Sequence, residues 1–327
     1  MKSKLTTKLN SLRSLKHDER SLTEYLIGTG GWSYLNVPGK PALKAYSEHF
    51  NFVEVNYTFY KYPSARMVER WRQTVPEDFT FTVRCHRDLT HNIGLRPVEQ
   101  AYLSFTQMMG FCRILNSPIL HLLTPERYVL DDTRIKEARD FFSSIDLGDT
   151  QLAWEFRGSF TPRLNNLLQD FGIVHSVDLS RKSTRPIQET DFVYTRLFSR
   201  GKHNIYQFSD EELKAIDESI TKLKAKKAVV AFHGQRMNTD ALRFKHFREE
   251  GIYLPVTAYT GIDSAKSVLQ EDARFPTTKK ELIEHQGWKM IDLRADKRIR
   301  LSELLSELPD KTFHSVEDVV SGLKVSS

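Results

Sequence analysis

Eight short apolar runs, each the length of a single β-strand, constrain the fold of this chain most strongly. The runs cover residues 25–30, 52–56, 79–85, 119–123, 152–156, 173–177, 192–198 and 228–233. Stretches with helical spacing, such as the one that carries Leu43, Tyr46 and Phe50, separate them. Strands and helices that alternate eight times predict a parallel α/β fold, the (β/α)₈ barrel. An open doubly wound sheet is the alternative, but residues 28–31 do not match its G-x-G-x-x-G phosphate loop.

Composition divides the chain into three segments. Residues 1–22 form a basic N-terminal extension with six Lys and Arg residues, and residues 23–262 hold the predicted barrel. Residues 270–327 form a small, basic and mostly helical C-terminal domain, in which Thr278 and Glu281 have the spacing of a capping box. The basic residues of this domain are interpreted either as a binding surface or as a solvated face.

The overall composition is that of a globular protein, with 39% hydrophobic and 28% charged residues. No apolar run is long enough to span a membrane, and the N-terminal segment lacks the apolar centre of a signal peptide. Cys85 and Cys112 cannot form a disulfide framework, so we predict a cytoplasmic protein in which both are inert core residues. The net charge of +6 favours an anionic partner such as nucleic acid, although many basic proteins bind none.

Polar residues at the carboxyl ends of the predicted strands point to a site, because these ends line the mouth of a barrel. Strand alternation places a set of charged and polar side chains inward or next to the mouth. The set is Glu54, Asn56, Arg84, His91, Glu155, Arg157, Asp178, Arg196 and His233. The run that contains His121 is apolar on both sides of that residue, so its inward face is ambiguous.

Several of these stretches resemble one family. Residues 28–34 (GTGGWSY) resemble a GTSGWSY motif, and residues 52–60 (FVEVNYTFY) are similar to TVEINSTFY. Residues 154–157 and 191–197 resemble the V-E-F-R and D-F-V-Y-x-R-L segments of the same family, the YecE-like "domain of unknown function 72". The resemblance covers about residues 25–250 and implies a TIM-type barrel related in architecture to xylose isomerases and endonuclease-four-like proteins. It implies no established reaction, and Arg84 stands where the family usually has Lys.

The first functional hypothesis is a hydrolase that acts on phosphate esters or nucleic acid. Arg84, Arg157 and Arg196 would bind phosphate oxygens, because guanidinium groups match them bidentately. Glu54, Glu155 and Asp178 would activate water or hold a divalent metal ion, and His91 and His233 would transfer protons. This would be a metal-dependent phosphoesterase or nuclease. The metal ligands stay unknown, since no His-x-His or Glu-x-x-His spacing is present.

The second hypothesis is a non-catalytic protein that binds RNA, DNA or a phosphorylated metabolite. The arginines then suffice, and Asn56, Trp32 and Tyr60 complete the substrate-binding set. Tyr60 and its aromatic neighbours could stack on bases or pack in the core, and Trp32 could floor a pocket or be structural. A third interpretation needs no ligand: the buried arginine–carboxylate pairs could serve only to hold the barrel interior together.

Overall fold

The computed structural model describes residues 23–35, 37–159, 161–181, 191–198 and 204–323. The predicted basic extension, residues 1–22, and the last four residues of the predicted C-terminal domain lie outside these ranges.

Among the described residues, the apolar runs predicted from the sequence form eight parallel strands. These are β1 (Glu24–Thr29), β2 (Phe52–Val55), β3 (Thr80–Arg84), β4 (Ile119–Thr124), β5 (Gln151–Phe156), β6 (Val174–His175), β7 (Phe192–Leu197) and β8 (Lys227–Phe232). The prediction of a (β/α)₈ barrel is confirmed.

The ends of the sheet meet, so the barrel is closed. The strands follow the order β6-β5-β4-β3-β2-β1-β8-β7, which leaves β6 and β7 at the two edges. Val177, just after β6, forms a parallel bridge with Thr195 of β7. Its N–H donates to the carbonyl of Tyr194 at 3.2 Å, and its carbonyl accepts from the N–H of Arg196 at 3.1 Å. This pairing excludes the open sheet.

Helices surround the barrel. They are α1 (Ala42–Ser47), α2 (Ala65–Thr74), α3 (Glu99–Leu115), α4 (Asp132–Ser143), α5 (Pro162–Asp170), α6 (Asp210–Lys222) and α7 (Met237–Glu250). One follows each strand except β6, after which residues 182–190 lie outside the described ranges. The outward faces of the strands and the inward faces of the helices form the main core, which includes Phe81 and Trp154. Cys85 and Cys112 lie unbridged in this core, where burial raises the pKa of both thiols, that of Cys112 to about 12.

A smaller apolar cluster fills the inside of the barrel. It contains residues from several strands, namely Leu26, Phe52, Ile119, Ala153, Val174, Tyr194, Val229 and Ala231. The charged inward-facing residues come later on their strands, toward the carboxyl ends. The barrel is therefore a packed cylinder with a polar layer at its mouth. Among the described helices, none combines the length and the apolar character needed to cross a membrane.

Residues 261–323, here called the C-terminal module, pack around a second hydrophobic core. Their helices are α8 (Gly261–Asp272), α9 (Lys279–Gln286), α10 (Leu301–Leu305) and α11 (Val316–Gly322). Two antiparallel strand pairs complete them, β9 (Thr277–Thr278) with β12 (Thr312–Phe313) and β10 (Met290–Arg294) with β11 (Lys297–Arg300). Thr278 and Glu281 form the predicted capping box at the start of α9.

Arginines of the module attach it to the start of α6. Arg298 forms ion pairs with Asp210 of the barrel at 2.7 Å and with Asp292 of its own hairpin at 3.2 Å. Arg300 pairs with Glu212 at 3.2 Å. These two arginines, which the sequence suggested were either a binding surface or a solvated face, instead join the two cores.

Candidate functional site

Arg196 is the centre of the polar layer at the barrel mouth. It extends from β7 and is 1% exposed. Its Nε and Nη2 atoms donate to the two carboxylate oxygens of Glu54, at 3.0 and 2.9 Å. Its Nη1 donates to Glu155 on β5. A single guanidinium group therefore joins acids from two strands that are not neighbours in the sheet.

The second oxygen of Glu155 is also occupied. It accepts a hydrogen bond from Nε of Arg157 at 2.6 Å, and the Arg157 side chain is 39% exposed. The four residues Glu54, Arg196, Glu155 and Arg157 thus form an ion-pair chain that runs from the barrel interior to the surface. The sequence predicted these four residues on three strands, and the fold brings them into direct contact.

The ion-pair chain fixes the protonation state of both acids. Burial has the largest single effect on Glu54 and raises its pKa, but Arg196, the other neighbouring positive charges and the Tyr194 hydrogen bond together outweigh it, so the pKa is lowered overall. Burial acts in the same direction on Glu155, and Arg196 and Arg157 together outweigh it to bring its pKa to about 2. Both carboxylates are ionised at neutral pH, and each has both oxygens engaged by guanidinium N–H groups. They are therefore poorly suited to act as general bases, which need a pKa near the working pH.

A second polar layer supports Glu54 from below. The Tyr194 hydroxyl donates to Glu54 at 2.8 Å and lies 2.9 Å from the hydroxyl of Thr82. The ring of His121 packs against Tyr194 with centroids 4.9 Å apart, and its Nε2 lies 3.1 Å from the Ser176 hydroxyl. Sequence reasoning left the face of His121 open and omitted Tyr194 from the site. The period of β7, which places Tyr194 on the same face as Arg196, was the available signal for Tyr194.

Arg84 lies at the end of β3 and differs from the other arginines, because no carboxylate lies within ion-pair distance of it among the described residues. Its side chain stacks on Phe59, with the guanidinium carbon 3.7 Å from the ring centroid, and Nη1 donates to the amide oxygen of Asn56. Its Nε is buried without a hydrogen-bond partner. Burial and then the neighbouring Arg196 lower its pKa to about 10, so it remains a cation at neutral pH.

Two predicted histidines lie around this cation. His233 stacks on Phe198 with centroids 4.7 Å apart, and its Nε2 lies 3.4 Å from Glu54 without a hydrogen-bond partner. His91 lies on a π-helical turn (Asp88–Ile93) and packs edge-on against Phe59 at 5.0 Å. Burial, followed by repulsion from nearby arginines, lowers the pKa of both imidazoles. Both are neutral at pH 7 and can donate and accept hydrogen bonds.

Gly30 explains how His233 fits at the end of β8. A β-carbon at position 30 would lie 2.1 Å from the His233 ring, so no larger residue fits without displacing it. The carbonyl of Gly30 also accepts from the Asn56 amide at 3.4 Å. The glycine-rich segment after β1 thus allows side chains from β2 and β8 to approach each other.

The remaining predicted site residues lie beside this cluster. Asp178 accepts from the backbone N–H groups of Ser180 at 3.0 Å and Phe198 at 3.3 Å, and burial raises its pKa. Tyr60 contacts Phe59 edge-on at the rim and is 57% exposed. Trp32 packs edge-on against Trp71 of α2. The Trp32 ring therefore contacts the surrounding helix layer.

The residues present do not fit a divalent metal ion. Within the described ranges, no group of three or more His, Cys, Asp or Glu residues is arranged to hold one. Glu54 and Glu155 already direct both of their oxygens to guanidinium groups, and a metal ion would have to compete with these cations for the carboxylates.

Comparisons with known proteins agree with the barrel. The family model described as "Protein of unknown function DUF72" matches residues 26–250. The UPF0759 protein YecE of Escherichia coli K12 is 33% identical over 86 residues, which is 26% of this chain and 32% of that protein. The UPF0759 protein YunF of Bacillus subtilis 168 is 34% identical over 102 residues, 29% of this chain and 35% of that protein. The chain thus matches about a third of the length of these relatives.

Two solved structures share the fold. A DUF72 family protein from Thermotoga maritima has a TM-score of 0.57 at 24% identity, over 69% of this chain and 99% of that chain. A DUF72 family protein from Enterococcus faecalis has a TM-score of 0.55 at 15% identity, over 68% of this chain and 96% of that chain. At these identities the likeness concerns the fold alone.

Proposed function

Since the chain belongs to the DUF72 family, whose function is unknown, we propose from its own site that the barrel mouth binds a small phosphorylated ligand through Arg84 and Arg157. The proposal rests mainly on one observation. Arg84 is 6% exposed, has no carboxylate partner among the described residues, and keeps one buried N–H without an acceptor. A buried charge with an unmet donor is costly, and a phosphate oxygen would supply both the counter-charge and the acceptor.

The charge of the cluster supports the same ligand. Its three guanidinium groups, on Arg84, Arg157 and Arg196, face only two ionised carboxylates, and the nearby imidazoles are neutral. Arg157 uses Nε for Glu155, and its two terminal nitrogens make no hydrogen bond within the described ranges. The cluster therefore has a positive excess and free donors, the requirements for an anion.

Binding is better supported than hydrolysis. In the hydrolase hypothesis, Glu54 or Glu155 activates water, but both acids are held by arginines and Glu155 has a pKa of about 2. Asp178 is occupied by backbone N–H groups. Hydrolysis would therefore depend on His91 or His233 as the proton acceptor. Turnover of p-nitrophenyl phosphate that is lost in both His91→Gln and His233→Gln would establish the hydrolase.

Calorimetric titration with inorganic phosphate tests the proposal. Arg84→Met keeps the packing on Phe59 and removes the charge, so we expect phosphate affinity to fall roughly tenfold to a hundredfold. The melting temperature of this variant should stay equal or rise, because a buried unpaired charge is removed. Arg139→Met, at the exposed pair with Asp170, is the matched control and should bind phosphate as the wild type does. Equal affinities in Arg84→Met and the wild type would refute the site.

We propose that any binding of nucleic acid is separate from phosphate binding at the barrel mouth and involves the N-terminal segment. Residues 1–22 carry six Lys and Arg and two Asp and Glu residues, and so contribute most of the net charge of +6. Replacing the six basic residues with Gln should weaken binding of single-stranded RNA roughly tenfold at low salt and flatten its salt dependence. Phosphate affinity at the mouth should not change. Unaltered RNA binding in a filter assay would instead place the contact outside residues 1–22.

A further inference from the structure

A cleft of about 490 Å³ lies between the C-terminal module and the barrel. Its barrel side is formed by Ile205, in the loop after β7, and Gln235, in the loop after β8. Leu282, Glu284, Gln286 and Trp288 are among the residues that form the module side. This cavity, here called the module cleft, is not lined by Arg84 or by any residue of the ion-pair chain. It is a separate cavity, and residues 272–288 that form most of it lie beyond the family match to residues 26–250.

Trp288 gives the module cleft a fixed aromatic surface. Its Nε1 donates to the carbonyl of His285 at 2.9 Å, which sets the orientation of a partly exposed ring. The cations nearest the ring are both paired: Arg236 with Glu271, and Lys289 with Asp272. The ring is therefore held in one orientation, and the positive charges near it are balanced by carboxylates. A fixed aromatic ring of this kind can stack on a flat ligand.

Gln286 gives the cleft an unsatisfied acceptor. The residue is 5% exposed, and its side-chain carbonyl oxygen has no hydrogen-bond donor among the described residues. Its amide group interacts with Asp272 and helps to lower the pKa of that carboxyl. Gln235, on the opposite wall, makes no side-chain hydrogen bond within the described ranges. A buried carbonyl without a donor is costly, so a ligand with an N–H group would be stabilised here.

The charges of the lining argue against an anion. Asp272, Glu281 and Glu284 line the cleft together with one arginine, Arg274. Lys289 neutralises Asp272, and neither Glu281 nor Glu284 has an ion-pair partner in the described part of the chain. Phosphate would be repelled, whereas a neutral ring that stacks and donates an N–H group would meet every feature of the lining.

We propose that the module cleft is a second ligand site, for a neutral heteroaromatic ring with an exocyclic N–H donor, of the nucleobase type. The ligand ring stacks on Trp288, and its exocyclic N–H group donates a hydrogen bond to the side-chain carbonyl of Gln286. The side-chain amide of Gln235 hydrogen-bonds another edge of the ring. Glutamine amides suit such rings because they offer a donor and an acceptor side by side. The site is independent of phosphate binding at the barrel mouth.

The test titrates the full chain with adenosine in a calorimeter, with purine riboside, which lacks the amino group, as the matched probe. We expect adenosine to bind and purine riboside to bind roughly fivefold more weakly. Trp288→Leu should reduce adenosine affinity roughly tenfold or more. Gln286→Leu should reduce it similarly with only a small change in melting temperature, because the loss of the unsatisfied carbonyl offsets the loss of the amide interaction with Asp272. Gln169→Leu, on the exposed side of α5, should leave affinity unchanged.

Phosphate titration of the same variants separates the two sites. Trp288→Leu and Gln286→Leu should bind inorganic phosphate as the wild type does, which also shows that they are folded. Adenosine that does not bind the wild type up to its solubility limit would overturn the module-cleft site. So would equal adenosine affinity in the wild type and both variants, or equal affinities for the two purines.

Discussion

Arg196→Met is expected to destabilise the protein by about 3–5 kcal/mol, the range for removing one partner of a buried ion pair. The substitution leaves Glu54, which is fully buried, with neither of its guanidinium contacts, and it leaves Glu155 with Arg157 alone. The cost comes mainly from the uncompensated carboxylates, because methionine itself fills a similar volume. Urea denaturation followed by circular dichroism measures the change in the free energy of unfolding.

The control for this prediction is an ion pair at the surface. Lys226 and Asp191 lie 2.6 Å apart with both side chains more than 70% exposed. Lys226→Gln should change the free energy of unfolding by less than about 1 kcal/mol, since exposed pairs contribute little. If the two variants differ by less than about 1 kcal/mol, the ion-pair chain is not the buried network described above.

Acid is expected to unfold the wild type more steeply than a variant without Glu155. The folded-state pKa of Glu155 is about 2, below its ordinary value of 4.5, so its contribution to stability is complete above the ordinary value. That contribution is lost as the pH falls from about 4.5 to about 2, where the folded-state carboxylate takes up its proton. The difference amounts to roughly 3 kcal/mol for this residue.

Urea titrations at a series of pH values measure whether the free energy of unfolding falls with decreasing pH as predicted. The slope of stability against pH between the two pKa values should be smaller in Glu155→Gln, although that variant is less stable at neutral pH. Glu69→Gln, at an exposed position on α2, should keep the slope of the wild type. A slope in Glu155→Gln equal to that of the wild type would mean that Glu155 is not held ionised by Arg196 and Arg157.

The sequence predicted the barrel well, because each strand is a distinct apolar run and the alternation is regular. It also predicted which side chains face inward wherever polar and apolar residues alternate, as in β2 and β5. The inward face of His121 escaped prediction because four of the six residues of β4 are apolar, including those on both sides of His121. There, the inward face is decided by pairing with the neighbouring strands, where His121 lies opposite Arg84 of β3 and Ala153 of β5.

The chemistry of the site was harder to predict than its members. Glu54, Glu155 and Arg196 were foreseen as mouth residues, but their mutual contact depends on the stagger between strands, which one sequence does not specify. Because of that contact, Glu54 and Glu155 neutralise the charge of Arg196 and are poorly suited to act as the general bases that the sequence suggested. Trp32 illustrates a second difficulty, since its position after β1 suggested the pocket, whereas its ring contacts Trp71 on the helix layer.

The closure of the barrel has a consequence for how the site is assembled. Among the eight barrel strands β6 is the shortest, and the carbonyl of Val177, just after it, joins this edge to β7 by accepting from the backbone N–H of Arg196. Arg196 therefore has two roles. Its backbone N–H helps to close the barrel, and its side chain binds both Glu54 and Glu155. Along the open order of strands, Arg196 on β7 lies far from Glu155 on β5, so the contact between Arg196 and both acids depends on the pairing of β6 with β7.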